Sequence, residues 1–139
     1  MKPDFKTIAL VGKYNSPASA SSLSRLADFL QAKGYTVLVT CHIAETCAMA
    51  GFQTRTLNEI GHEADLAIVM GGDGTILNIA RTLVDFDIPL IGINQGRLGF
   101  LADVSLDTMF STLDEMLAGE FVAEDRIMLE SSVARADDV

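Results

Sequence analysis

The chain has 139 residues, 49% of them hydrophobic, which is enough apolar material for the core of one ordinary domain. Ten basic and nineteen acidic residues give a formal net charge of −9. With no basic cluster visible, this charge argues against a nucleic acid partner but not against a small phosphorylated ligand. No apolar run approaches the roughly 20 residues that cross a bilayer, and the amino terminus lacks the features of a signal peptide. The sequence therefore predicts a cytoplasmic protein without a membrane partner.

The two cysteines, Cys41 and Cys47, are too few for a disulfide framework and favour a reducing compartment. His42 lies between them, but the Cys-His-x4-Cys order matches no usual zinc-binding spacing. We therefore predict no protein-held metal site here.

The first half of the chain is predicted to alternate strands with helices. The run from Lys6 to Val11 suits a strand buried on both faces. Apolar residues from Leu23 to Leu30 then recur at helical spacing, and Gly34 stands where a helix-ending glycine belongs. Tyr35 to Thr40 is predicted as a second strand from its β-branched residues, whereas residues 43–58 are only weakly periodic.

The second half continues the alternation. Leu66–Met70 is a continuous apolar run that stops at two glycines, as a central parallel strand does at a ligand-facing loop. Helical spacing returns from Ile76 to Val84, and Pro89–Ile93 is predicted as the fourth strand. A last helix is predicted between a capping Ser105 and a terminating Gly119.

These elements predict a doubly wound α/β domain with a mostly parallel sheet over residues 1–119. From residue 120 to residue 139, apolar and charged residues alternate loosely, which indicates the first strand of a second, β-rich domain that is otherwise absent. A solvated carboxyl-terminal tail is the alternative.

The segment 71–75 reads Gly-Gly-Asp-Gly-Thr and joins the third predicted strand to a helix. Glycines leave no Cβ between backbone amides and a phosphate, and the helix start adds unpaired N–H groups and a positive dipole end. Thr75 can cap the helix or donate its hydroxyl to phosphate. The spacing fits neither a P-loop nor the dinucleotide-binding glycine fingerprint, so a different phosphate-handling turn is implied.

Asp73 is the unusual member of this turn, because a carboxylate repels phosphate unless it serves another purpose. It could accept the proton of an attacking hydroxyl, or hold a cation that bridges phosphates. The alternative is that Asp73 only shapes the turn through hydrogen bonds to nearby backbone N–H groups.

A second glycine-containing loop, residues 94–101, follows the fourth predicted strand and is expected at the same carboxyl edge of the sheet. Asn94 can hydrogen-bond a base, sugar or phosphate, Arg97 can neutralise phosphate, and Phe100 can stack on an adenine. The alternatives are a solvated loop charge for Arg97 and a plain core aromatic for Phe100. The two loops are predicted to face one crevice.

Together the two loops resemble a known family. Gly-Gly-Asp-Gly-Thr at 71–75 is similar to the signature shared by NAD kinases, diacylglycerol- and sphingosine-type lipid kinases and, with serine last, phosphofructokinases. Asn-Gln-Gly-Arg-Leu-Gly-Phe-Leu at 94–101 resembles the NAD kinase form of the second loop, where lipid kinases usually place a proline and a Gly-Thr-x-Asn-Asp stretch. Asp125-Arg126 and Leu129-Glu130 resemble the start of that family's second domain. The likeness covers the whole chain and about half of a complete enzyme.

The resemblance implies the N-terminal portion of an NAD kinase with a Rossmann-like or phosphofructokinase-like fold. Such an enzyme transfers the γ-phosphoryl group of ATP, or of polyphosphate in some bacterial members, to the 2′-hydroxyl of the adenosine ribose of NAD, giving NADP. Mg²⁺ or another divalent cation is the implied cofactor, and the complete enzyme is expected to be a homo-oligomer. The motif aspartate takes the hydroxyl proton, a role that falls on Asp73. The implied nucleotide-binding residues are Gly71, Gly72, Gly74, Thr75, Asn94, Arg97 and Phe100.

One departure concerns the dinucleotide site. NAD kinases hold the dinucleotide with an Asn-Glu or Asn-Asp pair in the β-rich second domain, and no such pair follows Phe100. Asn58-Glu59 precedes the first loop and is interpreted as a solvated turn or helix end. The 139 residues are therefore expected to be a truncated, monomeric piece that binds NAD poorly and turns over little or not at all.

Two other functions stay open. One is a lipid kinase of the same superfamily, with a diacylglycerol-type acceptor. The other is a non-catalytic nucleotide-sensing module in which Asp73 only shapes the turn.

Overall fold

The computed structural model describes residues 5–12, 17–40, 43, 51–94, 104–121, 123, 128–129 and 131–134. The described strands are β1 (Thr7–Gly12), β2 (Thr36–Val39), β3 (Gln53–Thr54), β4 (Leu66–Met70), β5 (Leu90–Asn94) and β6 (Val104–Ser105). The α-helices whose bounds are described are α1 (Pro17–Ala32), α2 (Leu57–Glu63), α3 (Asp73–Leu83) and α4 (Met109–Leu117). The 3-10 turn Val84–Phe86 follows α3, and the 3-10 turn Leu106–Thr108 precedes α4.

The strands form one sheet in the order β3-β2-β1-β4-β5-β6, and every described pair is parallel. The order runs outward in both directions from β1 and β4, so the winding of the chain reverses between these two strands. Register pairs Leu10 with Ile68 and Met70 with Ile93, which brings the carboxyl ends of the central strands to one edge. The predicted doubly wound α/β fold is confirmed.

Both faces of the sheet are covered, which explains why the central strands are continuous apolar runs. On one face, Leu10 and Ile68 are buried in a cluster with residues of α1 and α4. On the other face, Val11 and Val69 are buried in a cluster with residues of α2 and α3. Side chains alternate between the faces along a strand, so a strand covered on both sides is apolar at every position. Each large side chain buried this way contributes about 1.5–3 kcal/mol relative to exposure.

The helix-ending glycines were correctly predicted. Gly34 and Gly119 have φ angles of 96° and 105°, the left-handed conformation that follows a helix. Ser105 precedes the 3-10 turn, so its predicted place at the start of the last helical segment is confirmed. Its hydroxyl makes no capping hydrogen bond and instead lies 2.9 Å from the Thr108 hydroxyl.

Helix α2 begins at the end of the weakly periodic region 43–58, and the rest of this helix was not predicted. A capping box starts it: the Glu59 backbone N–H donates to the Thr56 hydroxyl at 3.2 Å, and the Thr56 N–H donates to the Glu59 carboxylate at 3.0 Å. Asn58-Glu59 therefore lies in the first turn of a helix, which confirms its interpretation as a helix end. Gly61 packs this helix against Phe86, since a Cβ at residue 61 would lie 2.4 Å from the Phe86 ring.

The described residues after α4 form no helix or strand. Phe121, Leu129 and Val133 expose 41%, 87% and 85% of their surface. The second domain predicted from residue 120 onward stays a prediction. None of the described helices is long and apolar enough to cross a membrane.

Candidate active site

The Gly-Gly-Asp-Gly-Thr turn leaves the carboxyl end of β4 and starts α3. Gly71 has a φ of 151°, and a Cβ there would lie 2.8 Å from the Thr75 Cβ, so only glycine suits this position. Gly72 is the N-cap, with φ −89° and ψ −174°, and Asp73 is the first helical residue. A Cβ added at Gly72 or Gly74 would have no neighbour within 4 Å. The backbone at those two residues is therefore open to a ligand.

Asp73 lies in the first turn of α3, and the residue is half-buried. The positive end of the helix dipole stabilises a carboxylate at this position by about 0.3–1 kcal/mol. The sequence placed the start of this helix near Ile76, three residues too late. Thr75 lies inside the first turn, so the suggestion that it caps the helix is wrong; its side chain packs against Gly71 instead.

Asn94 ends β5 beside this turn. The Gly71 backbone N–H donates to the Ile93 carbonyl at 2.9 Å, which ties the start of the turn to the end of β5. Asn94 is only 5% exposed. The structure thus brings Gly71 and Asn94 to the same edge of the sheet. Arg97 and Phe100 lie outside the described residues.

The end of β1 meets the end of β4 at a close backbone contact. Gly12 has a φ of 144°, and a Cβ there would lie 2.1 Å from the Met70 carbonyl oxygen. Beside this contact is a cleft of about 480 Å³ that is bounded by both helices of this face. Its lining includes Gly12, Thr40, Leu57, Gly74, Asn78 and Ile79.

Sequence reasoning singled out Gly74 and Thr75 of this cleft but missed its other walls. Thr40 ends the predicted second strand, and Leu57 and Asn78 belong to two helices whose packing no local pattern reveals. The position of Gly12 directly after a buried strand was the available clue. Among the described residues, no group of three His, Cys, Asp or Glu side chains could hold a metal ion. Cys41, His42 and Cys47 lie outside the described residues.

These features place the chain in a class: doubly wound α/β proteins with a glycine-rich strand-to-helix turn beside the point where the sheet changes winding direction. Comparison with known proteins makes the assignment narrower. The family described as the ATP-NAD kinase N-terminal domain matches residues 8–121. The chain belongs to the NAD kinase family, as its two loops predicted.

Two curated relatives show how close the likeness is. The chain is 53% identical over 131 residues to the NAD kinase of Nitrosomonas eutropha. The aligned residues make up 94% of this chain and 44% of the relative. It is 45% identical over 138 residues to the NAD kinase of Thiobacillus denitrificans. That alignment covers 99% of this chain and 48% of the relative. The chain thus spans about half the length of these curated relatives.

A solved structure shares the fold. The crystal structure of yeast NADH kinase complexed with NADH superposes with a TM-score of 0.69 at 20% sequence identity. The match covers 81% of this chain and 38% of the yeast chain. At this level of identity the likeness supports the α/β architecture and nothing finer.

Proposed function

We propose that this chain is the N-terminal half of a kinase that phosphorylates the 2′-hydroxyl of the adenosine ribose of NAD, with ATP or polyphosphate as donor. The observation that carries the proposal is the position of Asp73 in the first turn of α3, between the open backbones of Gly72 and Gly74. Asn94 ends the neighbouring strand at the same sheet edge. Membership of the NAD kinase family supports NAD as the acceptor.

The proposed reaction uses Asp73 as the proton acceptor. The ribose 2′-oxygen attacks the γ-phosphorus while its proton passes to the Asp73 carboxylate, and the bond from the γ-phosphorus to the bridging oxygen breaks to release ADP. Backbone N–H groups of the first turn of α3 hold the donor phosphates. Positioning and charge neutralisation dominate such a transfer, because the transition state is loose and its charge is spread over the phosphoryl oxygens.

The described residues fit a divalent cation only as a partner of bound phosphate. Asp73 is the one carboxylate of the glycine-rich turn, and magnesium sites commonly combine one or two carboxylates with substrate phosphates and water. When bound, the cation would neutralise charge on the donor phosphates.

A fusion protein tests the function. This chain would be joined to the C-terminal half of the Nitrosomonas eutropha relative and assayed for NADP formation from NAD. We expect turnover in the unchanged fusion, and a loss of about 10²–10⁴-fold in kcat for Asp73→Asn, the usual contribution of a general base. Binding of NAD should change by no more than about twofold, since the substitution keeps the shape of the side chain.

Asp85→Asn is the matched control, because Asp85 is an exposed acid in the 3-10 turn that follows α3. We expect its kcat to equal that of the unchanged fusion. Full turnover in Asp73→Asn would show that Asp73 only shapes the turn. A fusion that binds nucleotide without turnover would favour the sensing module, and phosphorylation of diacylglycerol in place of NAD would favour the lipid kinase.

The location and assembly of the complete enzyme belong to the same proposal. We expect a cytoplasmic enzyme, which its small number of cysteines favours. We also expect homo-oligomers built largely through the second half. Sedimentation of the fusion beside this chain alone would test that assembly, with a monomeric fusion as the contrary result.

A further inference from the structure

One side of α3 leaves large apolar side chains exposed. Leu77 is 47% exposed, and Val84, which directly follows the helix, is 49% exposed. The other large hydrophobic residues that the structure describes as exposed all lie after α4. Within the described residues up to the end of α4, exposed apolar surface of this kind is therefore confined to α3 and the residue that follows it.

Helix geometry places these side chains on the same side of α3 as Asp73. Leu77 and Val84 are seven residues apart, so they lie within about 20° of each other around the helix axis. Asp73 lies four residues before Leu77 and shares this side of the helix. We call Leu77, Ala80 and Val84 the apolar flank of α3.

The apolar flank is separate from the surfaces of α3 that serve the core and the cleft. The helix packs on α2 and on strands β1 and β4, with Ile76, Ile79 and Leu83 buried there. Asn78 lines the cleft and lies about 100° around the axis from Leu77. Neither the core nor the cleft accounts for the apolar flank.

We propose that the second half of the enzyme packs against the apolar flank of α3 and buries Leu77 and Val84. The relatives have such a half, because the chain spans 44% and 48% of their lengths and the family matched over residues 8–121 is described as an N-terminal domain. Interfaces between domains of one chain bury roughly 600–1,500 Å² and have an apolar centre with a polar rim. Leu77 and Val84 belong to that centre, and the exposed Arg81 beside them belongs to the rim.

The segment after α4 supports the same occupant. Phe121, Leu129 and Val133 are exposed apolar residues at and beyond the end of the family match. This segment would lead into the second half, so the same neighbouring domain can cover it and the apolar flank.

A second copy of this chain is a less favourable occupant. Each copy has a formal net charge of −9, so two copies repel each other. The second half is instead tethered to the chain, which gives it an effective concentration of roughly millimolar at the flank.

The position of the apolar flank also bears on catalysis. Asp73 is about 6 Å from Leu77 along the helix axis, because each residue of a helix adds about 1.5 Å. A domain that covers Leu77 would therefore extend to the proposed proton acceptor and help to exclude water from it. This consequence rests on the proposed function, whereas the contact itself rests on family membership.

Thiol labelling tests the contact without using NADP formation. Leu77→Cys, Val84→Cys and Asp85→Cys would each be made in the fusion protein described above and in this chain alone, with every other cysteine replaced by serine. Asp85→Cys is the matched control, because Asp85 is exposed next to Val84 but faces a different side. The rate of reaction with 5,5′-dithiobis(2-nitrobenzoate) would be divided by the rate of the same variant in urea.

In the fusion, we expect Leu77→Cys and Val84→Cys to react at least about tenfold more slowly than Asp85→Cys, because a buried thiol is inert. In the chain alone, the three rates should agree within about threefold. Equal rates in the fusion would overturn the proposal. Equal protection in the chain alone would also overturn it, since the second half would then not be the cause.

Two further results complete the test. Protection that grows with protein concentration would assign the apolar flank to a second copy and would overturn the proposal. If one cysteine variant does not melt cooperatively, the other decides. A fusion protected at both positions that makes no NADP would keep this inference and remove the proposed function, and NADP formation without protection would do the opposite.

Discussion

Glycines at the carboxyl edge of the sheet serve two different needs. Gly12 is required by the backbone, because a Cβ there would lie 2.1 Å from the Met70 carbonyl and φ is 144°. Gly12→Ala should therefore lower the free energy of unfolding by about 3 kcal/mol or more, as measured by urea denaturation of the chain. Gly51→Ala is the control, because nothing lies within 4 Å of its Cβ, and it should stay within about 0.5 kcal/mol. Equal stability in the two variants would contradict the contact seen at Met70.

Gly74 tests the second need, access for a substrate. A Cβ at Gly74 meets no atom of the protein, and alanine is the better helix former, so Gly74→Ala should raise the free energy of unfolding by about 0.5 kcal/mol. The same methyl group would intrude where the donor phosphates are proposed to lie. We expect kcat/KM of the fusion to fall by about tenfold or more. A variant that is both more stable and fully active would exclude close approach at this residue.

The residues of the turn could be predicted from sequence because their requirements are local. Gly71, Asp73 and Thr75 stand within five positions of one another, and the chemistry that they suggest depends on the strand before them and the helix after them. The need for glycine at residue 12 arises from Met70, which is distant in the chain, and its local sign is limited to the position of Gly12 directly after a buried strand. Thr40 and Asn78 escaped attention for the same reason.

At the scale of elements, the strands with long apolar runs were predicted correctly, whereas the short elements were not predicted. Leu66–Met70 was placed correctly because five consecutive buried residues leave no ambiguity in the pattern. β3 and β6 have two residues each, which is too short to show any period. α2 has seven residues with two that are buried, so its apolar stripe is almost absent, and its capping box was the one usable sign.

The capping box of α2 makes a measurable contribution to stability. Thr56→Ala removes the hydroxyl that accepts the Glu59 N–H and should lower the free energy of unfolding by about 1 kcal/mol. Asn58→Ala is the matched control in the same turn, because Asn58 is exposed, and it should change stability by less than about 0.5 kcal/mol. Urea denaturation of both variants measures the difference. An unchanged midpoint for Thr56→Ala would show that tertiary packing alone holds this helix.

The same box makes stability depend on pH. A hydrogen bond from the Thr56 backbone N–H, and to a lesser degree one from its side chain, hold the pKa of Glu59 below its ordinary value of 4.5. The folded state therefore favours ionised Glu59, and this stabilisation is present above the ordinary pKa and is lost as pH falls through the lowered one. The stability advantage of the unchanged chain over Glu59→Gln should be greater at about pH 7 than at about pH 3.5. A difference that does not vary with pH would contradict the role of the charge.

At the scale of the whole molecule, folding and catalysis place different demands on these residues. The sheet is covered on both faces by helices of this chain, and each face has its own buried cluster. Such a two-sided core needs no further segment to exclude water from β1 and β4. We therefore expect the 139 residues alone to unfold in one cooperative transition on heating. A broad loss of structure without a transition would contradict an independent core.

Catalysis, in contrast, is predicted to need more than these residues. The described part of the proposed site lies along one sheet edge, and the chain spans 44% to 48% of the two relatives' lengths. An acceptor held from one side only would not be fixed for in-line attack, and precise positioning accounts for a large share of the rate in reactions of this kind. NADP formation by the 139 residues alone should therefore be at least about 100-fold slower than by the fusion. A rate near that of the fusion would mean that Asp73 and its two loops hold both substrates unaided, and the acceptor site would then have to be sought within this chain.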